Sequence, residues 1–176
     1  MSKKKESKVK VVTNKNAQKF LESYLNNTSP VGYEDSGQRI WLDYMKPYMD
    51  EYIVDNYGSV AAVINPGKEF KVVIEAHSDE ISWYVNYITD DGYIYVIRNG
   101  GSDHQIAPAM RVTLHGDKGA VDGHFGWPAI HTRRPGGMKE QAPSPNNIFI
   151  DMGCSSKEEV LEKGVKVGTV ITFNDG

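Results

Sequence analysis

Lys71-Val72-Val73-Ile74-Glu75-Ala76-His77-Ser78-Asp79-Glu80 is an apolar run that leads straight into His-x-Asp. Its close-set apolar and β-branched residues predict a buried strand, whose end delivers an imidazole and a carboxylate two positions apart. In extended backbone, side chains at i and i+2 leave on the same face, so His77 and Asp79 are expected to share one space. That pattern suits a metal-binding imidazole whose second ring nitrogen is held by a carboxylate, fixing the tautomer and raising ligand basicity. Position adds to it, because binding sites in open α/β sheets form beyond the carboxyl ends of strands. The plainer reading is a hydrogen-bonded histidine, an aspartate capping a turn, and Glu80 facing solvent on the opposite side. One histidine cannot hold a metal by itself.

Upstream, Ala17, Phe20, Leu21, Tyr24 and Leu25 recur at three and four, the stripe of an amphipathic helix over Asn14 to Asn27. Thr28-Ser29-Pro30 ends it, since the residue before proline avoids helical angles. Thr28 to Glu34 reads as a turn-rich connection. A second helix is expected from near Ser36, with Ile40, Trp41, Tyr44 and Met45 inward and Pro47 at its end. Two strands, Tyr52 to Asp55 and Ser59 to Ile64, flank Asn56-Tyr57-Gly58. With the strand ending at His77 these elements make part of an α/β layer.

Downstream of Glu80 the texture changes. Strand signals recur at short intervals with turn residues between them: Ile81 to Thr89, Tyr93 to Arg98, Met110 to His115, Ala120 to Phe125 and Ile148 to Met152. Asp90-Asp91-Gly92 and Gly116-Asp117-Lys118-Gly119 read as hairpin turns. This spacing predicts a small barrel or sandwich. Ser156-x-x-Glu159 has capping-box spacing, Val160 and Leu161 give that helix an apolar side, and Gly164 fits its C-terminal stop. Val170 to Phe173 is a last strand. Asn99 to Ser102 and the Pro/Gly-rich Ile130 to Asn147 read as loops. The expected division is 1–80 for the α/β part and 81–176 for the barrel.

Composition narrows the function classes. The 176 residues carry a formal net charge of −3, which argues against bulk attraction to nucleic acid or an anionic membrane. The one basic run, Lys3-Lys4-Lys5 with Lys8 and Lys10, reads as a solvated tail. No apolar run approaches the roughly 18 residues of a membrane span, and the N-terminus lacks a signal-peptide core. A single cysteine, Cys154, excludes an internal disulfide framework, and together these features point to the cytoplasm. Cys154 has no base nearby in sequence to activate it. His104, His115 and His124 lack partners at metal-ligand spacing and read as solvated or hydrogen-bonded; His131 has no evident chemical role. Arg133-Arg134 reads as exposed loop charge.

Several motifs then fall in the order of one known group. They are Thr28 to Glu34, Asp55-Asn56-Tyr57-Gly58-Ser59, Glu75 to Ile81, Gly100-Gly101, Pro128-Ala129-Ile130-His131, and Ile150 to Glu159 continuing to Gly164 to Gly168. The chain resembles the dinuclear-metal aminopeptidases of the glutamyl or deblocking type, which build tetrahedral dodecamers and whose relatives often carry cellulase labels. The resemblance covers residues 14 to 173, and the Asp-x-Gly-x-Ser-Ser-Lys-Glu-Glu run is its most specific part.

The resemblance implies an α/β catalytic layer, partial here, with an inserted all-β barrel domain that mediates subunit contacts and shapes access to the site. It makes His77 a metal ligand and Asp79 the catalytic-site carboxylate that orients it. It further implies two divalent ions, zinc or cobalt, peptide substrates cut at the N-terminal residue, and a homo-oligomer from dimer to dodecamer. Ser78 and Ser82 depart from the bulkier residue and the glycine common at those positions. The bridging aspartate, the glutamate pair holding the general base, a further acidic ligand and a last histidine lie beyond the barrel in that group. Asp175 lacks the context of the bridging aspartate. The expectation is therefore the N-terminal portion of a metal-dependent aminopeptidase, inactive alone. The alternative is a non-catalytic oligomerisation or peptide-binding module derived from it. A glycan hydrolase is disfavoured, because Asp79 and Glu80 leave a strand on opposite faces.

Overall fold

A computed structural model describes residues 14–133 and 142–174. The lysine run at 3–10, Arg134 and Asp175 lie outside the described residues. The chain divides into two compact units: 1–28 with 35–76, and 29–34 with 77–176.

In the first unit, α1 (Lys15–Leu25) starts where Asn14 Oδ1 accepts the Ala17 N–H at 2.8 Å, satisfying a helix donor that has no partner of its own. α2 (Asp35–Met45) packs against it, with the Phe20 and Tyr44 rings stacked 4.1 Å apart. Three of the five residues of the expected α1 stripe take part. Ala17, Phe20 and Tyr24 are half-buried, whereas Leu21 and Leu25 are exposed because nothing among the described residues covers that side. A short 3-10 turn, Lys46–Tyr48, leads to the antiparallel pair β1 (Glu51–Val54) and β2 (Val60–Val63), in register Glu51 to Val63. Their turn is fixed by Asp55, whose Oδ1 accepts the N–H groups of Tyr57 (2.8 Å) and Ser59 (2.9 Å).

The expected strand at Lys71 to Ala76 is corrected here. No described strand pairs with it, and Val72, Val73 and Ile74 are 73%, 82% and 95% exposed. A strand exists only through neighbours that accept and donate its backbone hydrogen bonds, and β1 and β2 pair solely with each other. Apolar composition therefore marks a segment suited to burial without supplying what buries it.

The second unit holds the buried core. β3 (Ser82–Ile88), β4 (Ile94–Asn99), β5 (Arg111–Gly116), β6 (Gly119–Gly126), β7 (Phe149–Asp151) and β8 (Val170–Phe173) close into a barrel of order β3-β4-β7-β6-β5-β8. Period-2 alternation sends Val112 and Leu114 of β5 inward, and Trp83, Ile94, Ile150 and Ile171 are likewise fully buried. Trp83 meets Phe125 edge-on at 5.2 Å in the middle of this core. α3 (Lys157–Glu162) adds Val160 to this core, and its ends are built as the sequence implies. Ser156 Oγ accepts the Glu159 N–H at 3.2 Å, and Gly164 stops it with φ +84°. The β3–β4 turn needs Gly92. Its φ is +84°, and a Cβ there would lie 2.8 Å from the Cys154 carbonyl oxygen. The Asn99 to Ser102 loop is not simply exposed: Ser102 is fully buried and donates to the Ser82 carbonyl at 2.6 Å.

Candidate metal-ligand site

His77 and Asp79 are brought together, on irregular backbone rather than at the end of a strand. His77 Nδ1 lies 3.0 Å from the Asp79 carbonyl oxygen and 3.2 Å from Asp79 Oδ1. Both neighbours only accept, so in the neutral ring the proton sits on Nδ1 and Nε2 keeps its lone pair. The His77 side chain is 84% exposed, which leaves Nε2 open. A bare Nε2 on a ring whose other nitrogen is held by a carboxylate is the donor a divalent transition ion takes from histidine. The pair therefore fits one coordination position. A complete cage is a different matter: no group of three or more His, Cys, Asp or Glu side chains suited to a metal occurs among the described residues.

Glu80 is exposed, as expected of a solvent-facing carboxylate, and one of its oxygens is also engaged. Its Oε1 accepts the Ser29 N–H at 2.8 Å, its own N–H donates to the Ser29 carbonyl at 3.0 Å, and Pro30 and Glu80 form an isolated parallel bridge. The sequence signal for this contact was the Ser29-Pro30 pair, which gave only the end of a helix. Proline has no N–H, so the chain there can pair only through its other groups.

The remaining histidines are dispersed. His115 is half-buried on β5, with Nε2 2.9 Å from Thr172 Oγ1, and burial lowers its pKa. His124 is exposed beside Asp122 and Asp151 at a shallow surface depression. The Nδ1 of half-buried His104 has no hydrogen-bond partner among the described residues, and His131 is exposed. Arg133 is not loose loop charge, because its guanidinium stacks 3.5 Å from the centre of the Trp127 ring. Burial raises the pKa of Cys154, so nothing about its setting favours a thiolate.

Residues 58–176 match the family model of the M42 glutamyl aminopeptidases, and the chain belongs to that family. It is 32% identical over 155 residues to a lysyl aminopeptidase of Pyrococcus furiosus, covering 88% of this chain and 44% of that protein. A TET aminopeptidase from a marine-sediment Thaumarchaeota archaeon has a similar structure, with TM-score 0.82 and 31% identity over 89% of this chain and 44% of the other. The Pyrococcus horikoshii TET1 peptidase, described as assembling into a tetrahedron or a large octahedral shell, is similar at TM-score 0.70 and 28% identity, covering 89% and 46%. The chain thus spans less than half the length of these relatives. No helix among the described residues is long and apolar enough to cross a membrane.

Proposed function

We propose that this chain is the N-terminal portion of a metal-dependent aminopeptidase that releases N-terminal residues from peptides. The observation carrying the proposal is the open Nε2 of His77, with Nδ1 held on Asp79, in a chain of the M42 family. His77 is the metal ligand and Asp79 the carboxylate that turns the ring so that Nε2 faces the ion. When bound, two divalent ions, zinc or cobalt, supply Lewis acidity and a low-pKa water. The present residues supply one ligand position and its orientation, so the 176-residue chain is inactive alone. The first unit is the beginning of an α/β catalytic layer. Exposed Val72 to Ile74 supports this, since in such a layer they become an inner strand once neighbouring strands lie on either side. The working enzyme is a homo-oligomer in the cytoplasm, in keeping with the assembly described for the P. horikoshii peptidase.

A second reading, a non-catalytic oligomerisation or peptide-binding module, draws on one observation. Every fully buried apolar side chain among the described residues lies in the barrel unit, which needs no further segment to close. Hydrolysis of aminoacyl-anilides, with zinc or cobalt added, separates the two. The chain alone is expected to show none, while a polypeptide continuing it to family length shows chelator-sensitive turnover that His77→Ala abolishes. Turnover unaffected by His77→Ala would defeat the peptidase assignment of this residue. A family-length protein with no turnover would leave the module.

A further inference from the structure

We propose that Glu80 is a positioning residue for the His77–Asp79 pair, acting through a brace formed by Ser29 to Glu34. The inference rests on the reading of His77 as a metal ligand. The approach to His77 from upstream is unsupported, because residues 71–76 pair with no described strand. Support comes from the other side. Glu80 makes two hydrogen bonds to Ser29, one through its backbone N–H and one through its carboxylate, across 51 positions of sequence. Ser29 is 5% exposed and Pro30 is buried, while Glu80 is exposed, so the contact is sheltered on its Ser29 side.

The brace is in turn tied to the barrel wall. Tyr84 Oη of β3 donates to the Val31 carbonyl, and Asn99 Nδ2 of β4 reaches the same oxygen at 3.4 Å while also donating to Ser82 Oγ at 2.8 Å. Gly32 passes close by with φ +88°, a Cβ built there lying 3.6 Å from the Tyr84 oxygen. The Tyr33 and Tyr84 rings lie tilted to each other, their centres 6.3 Å apart.

Glu80 directly follows Asp79, so fixing its backbone fixes the Asp79 carbonyl. That carbonyl is one of the two acceptors that place the proton on His77 Nδ1. A rigid barrel thereby helps to set the tautomer of the imidazole, and with it which ring nitrogen is left for the metal. Three variants separate this from a general structural role. Glu80→Gln keeps an oxygen that accepts the Ser29 N–H, Glu80→Ala removes it, and Tyr84→Phe removes the shorter of the two side-chain bonds that tie Val31 to the barrel, without touching Glu80.

The readout is the pair of 15N shifts of the His77 ring in the metal-free 176-residue chain, at a pH where the ring is neutral. Wild type and Glu80→Gln are expected to show a protonated Nδ1 and a bare Nε2. Glu80→Ala and Tyr84→Phe are expected to lose that separation, with barrel amide resonances retained. A folded Glu80→Ala variant with wild-type ring shifts would overturn the proposal, as would a wild-type ring protonated on Nε2. Glu80→Gln behaving like Glu80→Ala would overturn its hydrogen-bond basis. Should Glu80→Ala fail to fold, Tyr84→Phe decides on the same criterion. Because no metal is present, failure of the metal-ligand reading appears separately, as cobalt uptake by the family-length protein that His77→Ala does not change.

Discussion

His115 lies half-buried on β5 against Thr172, and burial lowers its pKa below the ordinary 6.5 while the charge of Glu80 opposes the shift. A lowered native pKa means that the unfolded chain takes up the proton first. The associated stability is whole above about pH 6.5 and is lost as pH falls through the native pKa. The melting temperature of the barrel should therefore drop between about pH 7.5 and 5.5, and His115→Gln should flatten that slope. An unchanged slope in the variant would place the proton elsewhere. At the centre of the barrel, Trp83 is fully buried against Phe125. Trp83→Ala should cost roughly 3–5 kcal/mol in urea unfolding, from lost burial and the cavity left behind. A loss below about 1 kcal/mol would mean that the site collapses around the smaller residue.

Among the elements, those whose cause is local were readable. The helix start at Ser156, its stop at Gly164, the Asp90-Asp91-Gly92 turn and the alternation of β5 each follow from a few neighbouring residues. The 71–76 segment was not, because a strand depends on partners distant in sequence that composition cannot name, and no described strand pairs with it. For the same reason the Ser29–Glu80 contact was invisible, although both of its ends were singled out for other reasons. Gly92→Ala tests the local kind. A positive φ and a backbone oxygen 2.8 Å from the new Cβ should together cost on the order of 1–3 kcal/mol, seen as a lower denaturation midpoint. Wild-type stability would show that the turn can shift without penalty. Amide exchange tests the other kind. Residues 71–76 should exchange much faster than β3 to β8 in the 176-residue chain. Equal protection would contradict the account of an unpaired segment.

Taken as a whole molecule, the chain places its buried apolar core in the barrel unit, while the most exposed large apolar side chains, Tyr57, Ile74, Phe70 and Val73, lie in the other unit. A closed barrel has no edge strand, whereas a two-stranded pair with exposed faces is marginal alone. Thermal unfolding should accordingly show the 35–76 region losing structure before the barrel. Family membership was legible from motif order, and the barrel strands from their spacing. Of the proposed metal site only the His77–Asp79 pair was legible, since no group of three or more His, Cys, Asp or Glu suited to a metal occurs among the described residues.

The most direct test is anomalous diffraction at the cobalt edge from a family-length polypeptide that contains this chain. The expected result is a cobalt peak about 2.0–2.1 Å from His77 Nε2, with Nδ1 still on Asp79. A cobalt centre that bypasses His77, or one bound through Nδ1 with Asp79 turned away, would contradict the proposed role of this imidazole.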